Sequence, residues 1–297
     1  MKKLLVPLLL VIVAGACAQG VRPGAQPPSG TPSTNPPSAG ASASPVAVGS
    51  TEVKIYYLVS FGSTLYLAPE RHRVAKTQAI AKRALDELVH GEAQDPDHST
   101  PYPRSATVNS VTIRNKIATV DWSASVLEAN AGSDAESLGI QSVVYTLTEF
   151  SSISTVRFTV EGKDRGTASN GRSIEDWWGH VGLSGQPWDR DPAIDVLEPI
   201  TLYTPLDGST STGTLKMAGE ASTFEANVGI VLRDASGKVV VRTSTTASMG
   251  APDRGTFAKT VAFTPPTTRQ TWTLQVIEDS AKDGSVVFME DRDILVG

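Results

Sequence analysis

The chain contains a single cysteine, Cys17, in 297 residues. One thiol excludes an intrachain disulfide and any cysteine-rich zinc site. Positive charge is also in short supply. Lys and Arg number 26 against 31 Asp and Glu, a formal net charge of −5, and without a basic face there is nothing to neutralise nucleic-acid phosphates. Only four histidines occur, His72, His90, His98 and His180. None has the i, i+4 spacing of a helical metal pair or a neighbouring nucleophile-elbow serine. What the chain does have is apolar content: 40% of residues are hydrophobic and 19% charged, so most of it should fold. At roughly 150 residues per domain, its length suggests about two domains.

The first residues read as a targeting signal. Lys2 and Lys3 form a positive start, and Leu4 to Val13 form an apolar stretch well under the ~20 residues of a membrane-crossing helix. Ala14-Gly15-Ala16-Cys17 then resembles a bacterial lipobox, in which the cysteine is acylated and becomes the mature N-terminus. Ala14 stands where that pattern prefers Leu, and Ala14-x-Ala16 would equally serve an ordinary secretory peptidase. Residues 1–16 are thus expected to be a lipoprotein signal peptide, with lipid attached at Cys17; the alternative is a secreted protein with a stray thiol. Loss of Lys2 and Lys3 with the leader takes the net charge from −5 to −7. Residues 17–50 hold seven of the 19 prolines and one charged residue, Arg22. Lacking apolar periodicity, they are expected to be a disordered tether spanning roughly 30 Å on average and about 110 Å when stretched.

Residues 51–166 alternate strand and helix patterns. Residues 52–60 are rich in β-branched and aromatic side chains and read as a buried strand. Residues 74–90 read as a helix with Ala81, Ala84, Leu85 and Leu88 on one face, ended by Gly91. Residues 107–113 and 116–122 read as a strand pair turning at Arg114-Asn115. Ser133-x-x-Glu136 has the form of a capping box, and Ile140, Val143, Val144 and Leu147 carry the helix that follows. Val156, Phe158 and Val160 then alternate along a last strand, before a turn at Gly162-Lys163. The order is β-α-β-β-α-β, a split α+β sandwich.

These segments, KIYYLV, ATVDWS, SVVYTLTEF and VRFTVEGK, resemble the GerMN domain of sporulation and germination lipoproteins. The sequence departs from that pattern at Leu88-Val-His-Gly-Glu92, where Gly-Pro usually follows the first helix. The resemblance implies an assembly or adaptor module of the cell envelope, similar to ring-building motifs, and brings no catalytic residues with it.

Residues 167–193 form a Trp-rich connector holding Trp177, Trp178 and Trp188, three of five tryptophans. Such rings either anchor a partner or a glycan or plug the seam between the domains, and the second reading is preferred. Residues 194–297 read as all-β, with strand patterns at 194–200, 215–224, 227–233, 239–244, 257–263, 271–277 and 286–294. That number of short strands fits an immunoglobulin-like sandwich. Val228, Ile230 and Leu232 alternate with outward Gly229, Val231 and Arg233, while Trp272, Leu274 and Val276 face inward. AGEASTFEANVGIVLRDASGK, GAPDRGTF and EDSAKDGS resemble the immunoglobulin-like domain that follows GerMN in spore-germination lipoproteins. That resemblance implies a binding or scaffold module.

No constellation carries chemistry. His72 falls in the charged stretch Glu70-Arg-His-Arg73, read as a loop, and His90 at a helix end. Asp95-Pro-Asp97-His98 has metal donors but reads as a solvated loop. Asp291-Arg-Asp293 reads as a turn or surface group, as does Asp253-Arg254 within GAPDRG, itself a candidate contact loop. No metal and no cofactor are expected. The expectation is a non-enzymatic lipoprotein on the extracytoplasmic face of a bacterial cell membrane, an adaptor or assembly scaffold held there by lipid on Cys17. Its partners would be envelope proteins, such as a sensor kinase or further copies in a ring, with peptidoglycan as another surface and nucleic acid excluded. Candidate contact residues are Trp177, Trp178, Trp188, Asp253 and Arg254. The alternatives are a wall- or glycan-binding lipoprotein and, less favoured, an envelope hydrolase.

Overall fold

The computed structural model describes residues 49–129, 131–177, 183 and 185–297. The expected signal peptide, Cys17, nearly all of the tether and Trp178 lie outside the described residues. Among the described residues no helix is long and apolar enough to cross a membrane.

The N-terminal domain opens with a hairpin. Strand β1 (Ser50–Phe61) pairs antiparallel with β2 (Thr64–Ala75) in unbroken register from Ser50 opposite Ala75 to Phe61 opposite Thr64. Gly62, at φ 61°, makes the turn. Strand β1 is apolar at successive positions because both faces are covered. Val53, Ile55 and Tyr57 enter the main core, and Tyr56 and Leu58 join Leu67 in a second cluster.

Strand β2 corrects the sequence reading, which placed Glu70-Arg-His-Arg73 in a loop and began a helix at Val74. Glu70, His72 and Val74 point inward while Arg71 and Arg73 are exposed. The alternation is regular, but its inward positions are charged, and a hydrophobic pattern cannot register them.

Helix α1 (Ile80–His90) buries Ala81, Ala84, Leu85, Leu88 and Val89. Gly91 closes it by close approach rather than by a left-handed turn. Its φ is −65°, and a Cβ there would sit 2.4 Å from the Glu87 carbonyl oxygen. Strands β3 (Val108–Arg114) and β4 (Ile117–Trp122) form the expected hairpin, with Asn115 and Lys116 at φ 51° and 63°. Helix α2 (Ser133–Thr148) leads to β5 (Thr155–Val160), which runs parallel to β4. The capping box does not form. The N-cap is Gly132, without a side-chain cap, and Glu136 is buried. Asp134 and Glu136 still lie in the first turn, where negative charge suits the helix dipole. The architecture is the expected split α+β unit with β2 added. Its strands make two ladders, β1-β2 and β3-β4-β5, and both helices contact each of them.

The connector proves to be largely part of this first domain. Ala168, Ile174, Trp177 and Leu183 belong to its core. The Trp188 backbone pairs with Val156, its carbonyl accepting the Val156 N–H at 2.9 Å and its own N–H donating at 2.7 Å, which extends the sheet edge.

The C-terminal domain is the expected all-β sandwich. A short helix, α3 (Ala193–Val196), replaces the strand read at 194–200, and the first strand is instead β6 (Ile200–Thr204). The other strands are β7 (Ser209–Ser211), β8 (Thr214–Ala221), β9 (Asn227–Arg233), β10 (Val239–Thr246), β11 (Gly255–Ala262), β12 (Gln270–Asp279) and β13 (Val286–Val296). They form sheets ordered β10-β9-β12-β13-β7 and β11-β8-β6. Val228, Ile230, Leu232, Trp272, Leu274 and Val276 meet in the core as expected. Val231, expected outward, does lie on the face of β9 opposite the core set, and it is buried there.

The two domains share a seam. Phe61 and Tyr66 near the hairpin tip pack on Phe288 of β13 with ring centroids 5.2 and 5.8 Å apart. Tyr56, Leu58, Leu67, Leu138 and Tyr145 pack with Val196 and Leu197.

Candidate functional site

A cluster of buried charges occupies the same seam. Four segments deliver it. Strand β2 brings Glu70 and His72. The loop after α1 brings Gln94, Asp95 and His98, and is held down where Ser99 exchanges backbone hydrogen bonds with Leu58 at 2.7 and 2.8 Å. The approach to β6 brings Glu198, whose N–H donates to the Leu67 carbonyl at 3.1 Å. Strand β13 brings Glu290 and Arg292 on its inward face.

Glu70 is the hub. Its carboxylate accepts from His72 Nε2 at 2.6 Å, His98 Nδ1 at 2.7 Å, the Gln94 N–H at 2.8 Å and the Asp95 N–H at 3.0 Å. Burial pushes its pKa up, but the donors outweigh burial and hold it at about 2. His72 lies between two carboxylates, with Nδ1 3.1 Å from Glu87. Burial lowers its pKa, and the bonds to Glu70 and Glu87 more than reverse that. His98 is raised in the same way, against its own burial, by Glu70 and by the charges of Glu198, Asp95 and Glu290.

Arg292 is the main cation from the sandwich. Nη1 is 2.5 Å from Glu290 Oε1 and also pairs with Asp95 Oδ2, while Nη2 donates to the Leu202 carbonyl at 3.3 Å. One guanidinium does not balance the carboxylates around it. Burial and the Glu198 charge push Glu290 up to about 8, and burial raises Glu198, which accepts from Thr201 at 2.7 Å. Glu198 Oε2 and His98 Nε2 are buried without a hydrogen-bond partner among the described residues. One ligand atom each from Asp95, His98 and Glu290 lies within 4.8 Å of the other two. This donor set can hold a proton, a guanidinium or a metal cation.

The residues named from sequence fall differently. Trp177 is 0% exposed, set edge-on to Trp122 at 6.1 Å and Phe158 at 5.4 Å. It therefore fills the N-terminal core and offers no surface to a partner, nor does it plug the seam. Trp188 is half-buried against the same core. Asp253 is exposed. Arg254 turns inward instead of outward. Nη1 donates to the Glu198 carbonyl at 2.6 Å, Nη2 to Thr201 Oγ1, and Nε lies 3.5 Å from Glu220, pinning the loop to the seam.

The solvated loop read at 95–98 is instead buried at Asp95 and His98, because Glu70 organises it. Arg292, read as a surface residue, is also buried, while Asp291 and Asp293 beside it are exposed. Sequence reasoning passed over Glu198 and Glu290 and placed Glu70 in a loop and Arg292 at the surface. The available signal was charge at inward positions of alternating strands, as in Phe288-x-Glu290-x-Arg292-x-Ile294.

Comparison with known proteins adds a family assignment. Residues 54–166 match the model named Germane, described as sporulation and spore germination. Residues 199–285 match Gmad2, described as the immunoglobulin-like domain of bacterial spore germination. Among solved structures, the tandem GerMN domains of the sporulation protein GerM from Bacillus subtilis are similar at 19% identity and a TM-score of 0.37. That match covers 72% of this chain and spans 62% of the length of the tandem structure. The first GerMN domain of the same protein is similar at 27% identity and a TM-score of 0.34, over 41% of this chain and 90% of that one. A putative lipoprotein from Clostridium perfringens is similar at 16% identity and a TM-score of 0.32, over 48% of this chain and 89% of that one. No curated protein matches the chain. With a Germane match in its α+β domain and a Gmad2 match in its sandwich, the chain is of the GerMN, germination type.

Proposed function

We propose that this chain is a non-enzymatic lipoprotein of the cell envelope that serves as a protein-binding adaptor or assembly scaffold, anchored on the extracytoplasmic face by lipid on Cys17. The observation that carries the reading is the seam. Phe61 and Tyr66 of one domain pack on Phe288 of the other, and Asp95 of one pairs with Arg292 of the other. Most ionisable groups at the seam are bound to one another, as a body built to present fixed surfaces would have them. Neither matched family description names a catalytic activity. The lipobox-like Ala14-Gly15-Ala16-Cys17 and the proline-rich stretch after it support an anchored position with reach away from the membrane. The partner is another envelope protein, a sensor kinase or further copies of this chain.

The test is crosslinking of intact cells that express the full chain or its Cys17→Ser variant, with a palmitate analogue supplied. The wild type is expected to take up the label, fractionate with membranes and crosslink reproducibly to one envelope protein or to itself. Cys17→Ser should lose label and membrane fraction together. Labelling that survives in Cys17→Ser overturns the anchor, and a wild type with no reproducible crosslink overturns the adaptor role.

A further inference from the structure

We infer that Asp95, His98 and Glu290 form a divalent-cation site at the seam between the two domains, of the imidazole–carboxylate type suited to zinc, and that Arg292 is the counter-cation the metal displaces. The adaptor reading is not needed for it. Four observations converge.

The first is the orientation of His98. Its Nδ1 lies 2.7 Å from Glu70 Oε1, a carboxylate itself fixed by the Gln94 and Asp95 N–H groups. A carboxylate that accepts a hydrogen bond from Nδ1–H fixes the tautomer in which Nε2, once deprotonated, presents its lone pair, the arrangement found behind metal-ligating histidines. The second is where Nε2 points. The His98 side chain is 2% exposed, and Nε2 has no hydrogen-bond partner among the described residues. Its neighbour Asp95 Oδ2 is 4.0 Å away, too far for a hydrogen bond, and buried ring nitrogens are rarely left in that state.

The third is charge. Asp95, Glu290 and Glu198 are buried with their charges bearing on Arg292, and Glu198 Oε2 is also without a partner. A second cation with two charges would relieve the excess at once. The fourth is room. Two of the three ligands, Asp95 and His98, line with Glu70 and Arg292 a cavity of about 10 Å³ that Glu290 does not reach, close to the space of a single water-sized occupant. One ligand atom from each of the three residues lies within 4.8 Å of the others. Rotation of the guanidinium away from Asp95 and Glu290 would let them close on one ion. Two carboxylates and an imidazole select zinc over the oxygen-only magnesium and calcium. The role is structural: the metal would join the loop after α1 to β13 and so fasten one domain to the other.

The experiment titrates chelator-treated full-length chain with zinc chloride by equilibrium dialysis and measures zinc per chain. One zinc per chain is expected. His98→Gln and Glu290→Gln should each weaken binding by more than 100-fold. Glu70→Gln, a positioning change, should weaken it by about 10- to 100-fold. Arg292→Gln should tighten it, an effect that a residue serving only the fold would not produce. On the unsubstituted chain, nitrogen NMR of the imidazoles should show zinc shifting His98 Nε2 while the exposed His90 stays in place, so the test survives a variant that fails to fold. No zinc retained by the wild type, an unshifted His98 resonance, or a His98→Gln variant that binds as well as wild type would overturn the inference.

Discussion

The core of the N-terminal domain and the seam beside it are equally dry and held by opposite means. In the core, Trp122 is stacked on Tyr102 at 4.9 Å and meets Trp177 edge-on, so each ring is stabilised by area removed from water and by ring geometry. On strand β2, Glu70 and His72 are also buried but depend wholly on named partners. Apolar burial is additive and tolerant, whereas a buried charge is favourable only while its counter-charge stays in place. The domains are therefore self-sufficient in their cores and mutually dependent at their junction.

Three substitutions would break or sharpen that contrast. Trp122→Ala should have the largest effect, about 5 kcal/mol of lost unfolding free energy, the top of the range for a buried Trp truncated to Ala. Urea unfolding followed by circular dichroism measures it, and a loss below about 2 kcal/mol would mean that the aromatic cluster is not the keystone of that core. Arg292→Met should cost about 3 kcal/mol, because Asp95 and Glu290 are left as buried carboxylates without their cation. Adding Asp95→Asn and Glu290→Gln to it should recover more than half of the loss. A triple variant no more stable than the single one would show that packing, not charge, joins the domains there.

The smallest effect tests a wetter ion pair. Burial pushes the Glu149 carboxyl up, but hydrogen bonds from Arg190 at 2.7 Å and Tyr56 at 2.9 Å pull it below its ordinary value. A depressed folded-state pKa adds stability above the unfolded value of ~4.3 and loses it as pH falls through the lower folded value. Glu149→Gln should therefore cost less than about 1 kcal/mol at pH 7, given the partial exposure of the pair. The difference from wild type should shrink toward zero as pH falls below 4. A gap that persists at acid pH would assign the effect to packing rather than charge.

What could be read in advance follows the same division. The turn at Asn115 and the inward sets of β5, β9 and β12 were legible because backbone geometry and hydrophobic alternation are local properties. Strand β2 was not, since its inward residues Glu70 and His72 present the polarity of a surface. The capping box at Ser133 failed for a related reason: the pattern was present, but Glu136 is buried in the fold and Gly132 starts the helix. Trp177 was identified as notable and assigned to the wrong place, because nothing in a loop's composition tells which core its ring will enter.

The sequence alone determined the two modules, their family resemblance, most of their elements and the alternation that builds each core, all properties of residues near one another in the chain. Only the tertiary structure decided what Glu70, His98, Glu290 and Arg292 are for. A buried charge is defined by its partner, and the partners come from three segments, the hairpin, the loop after α1 and strand β13, that meet only when the chain closes on itself.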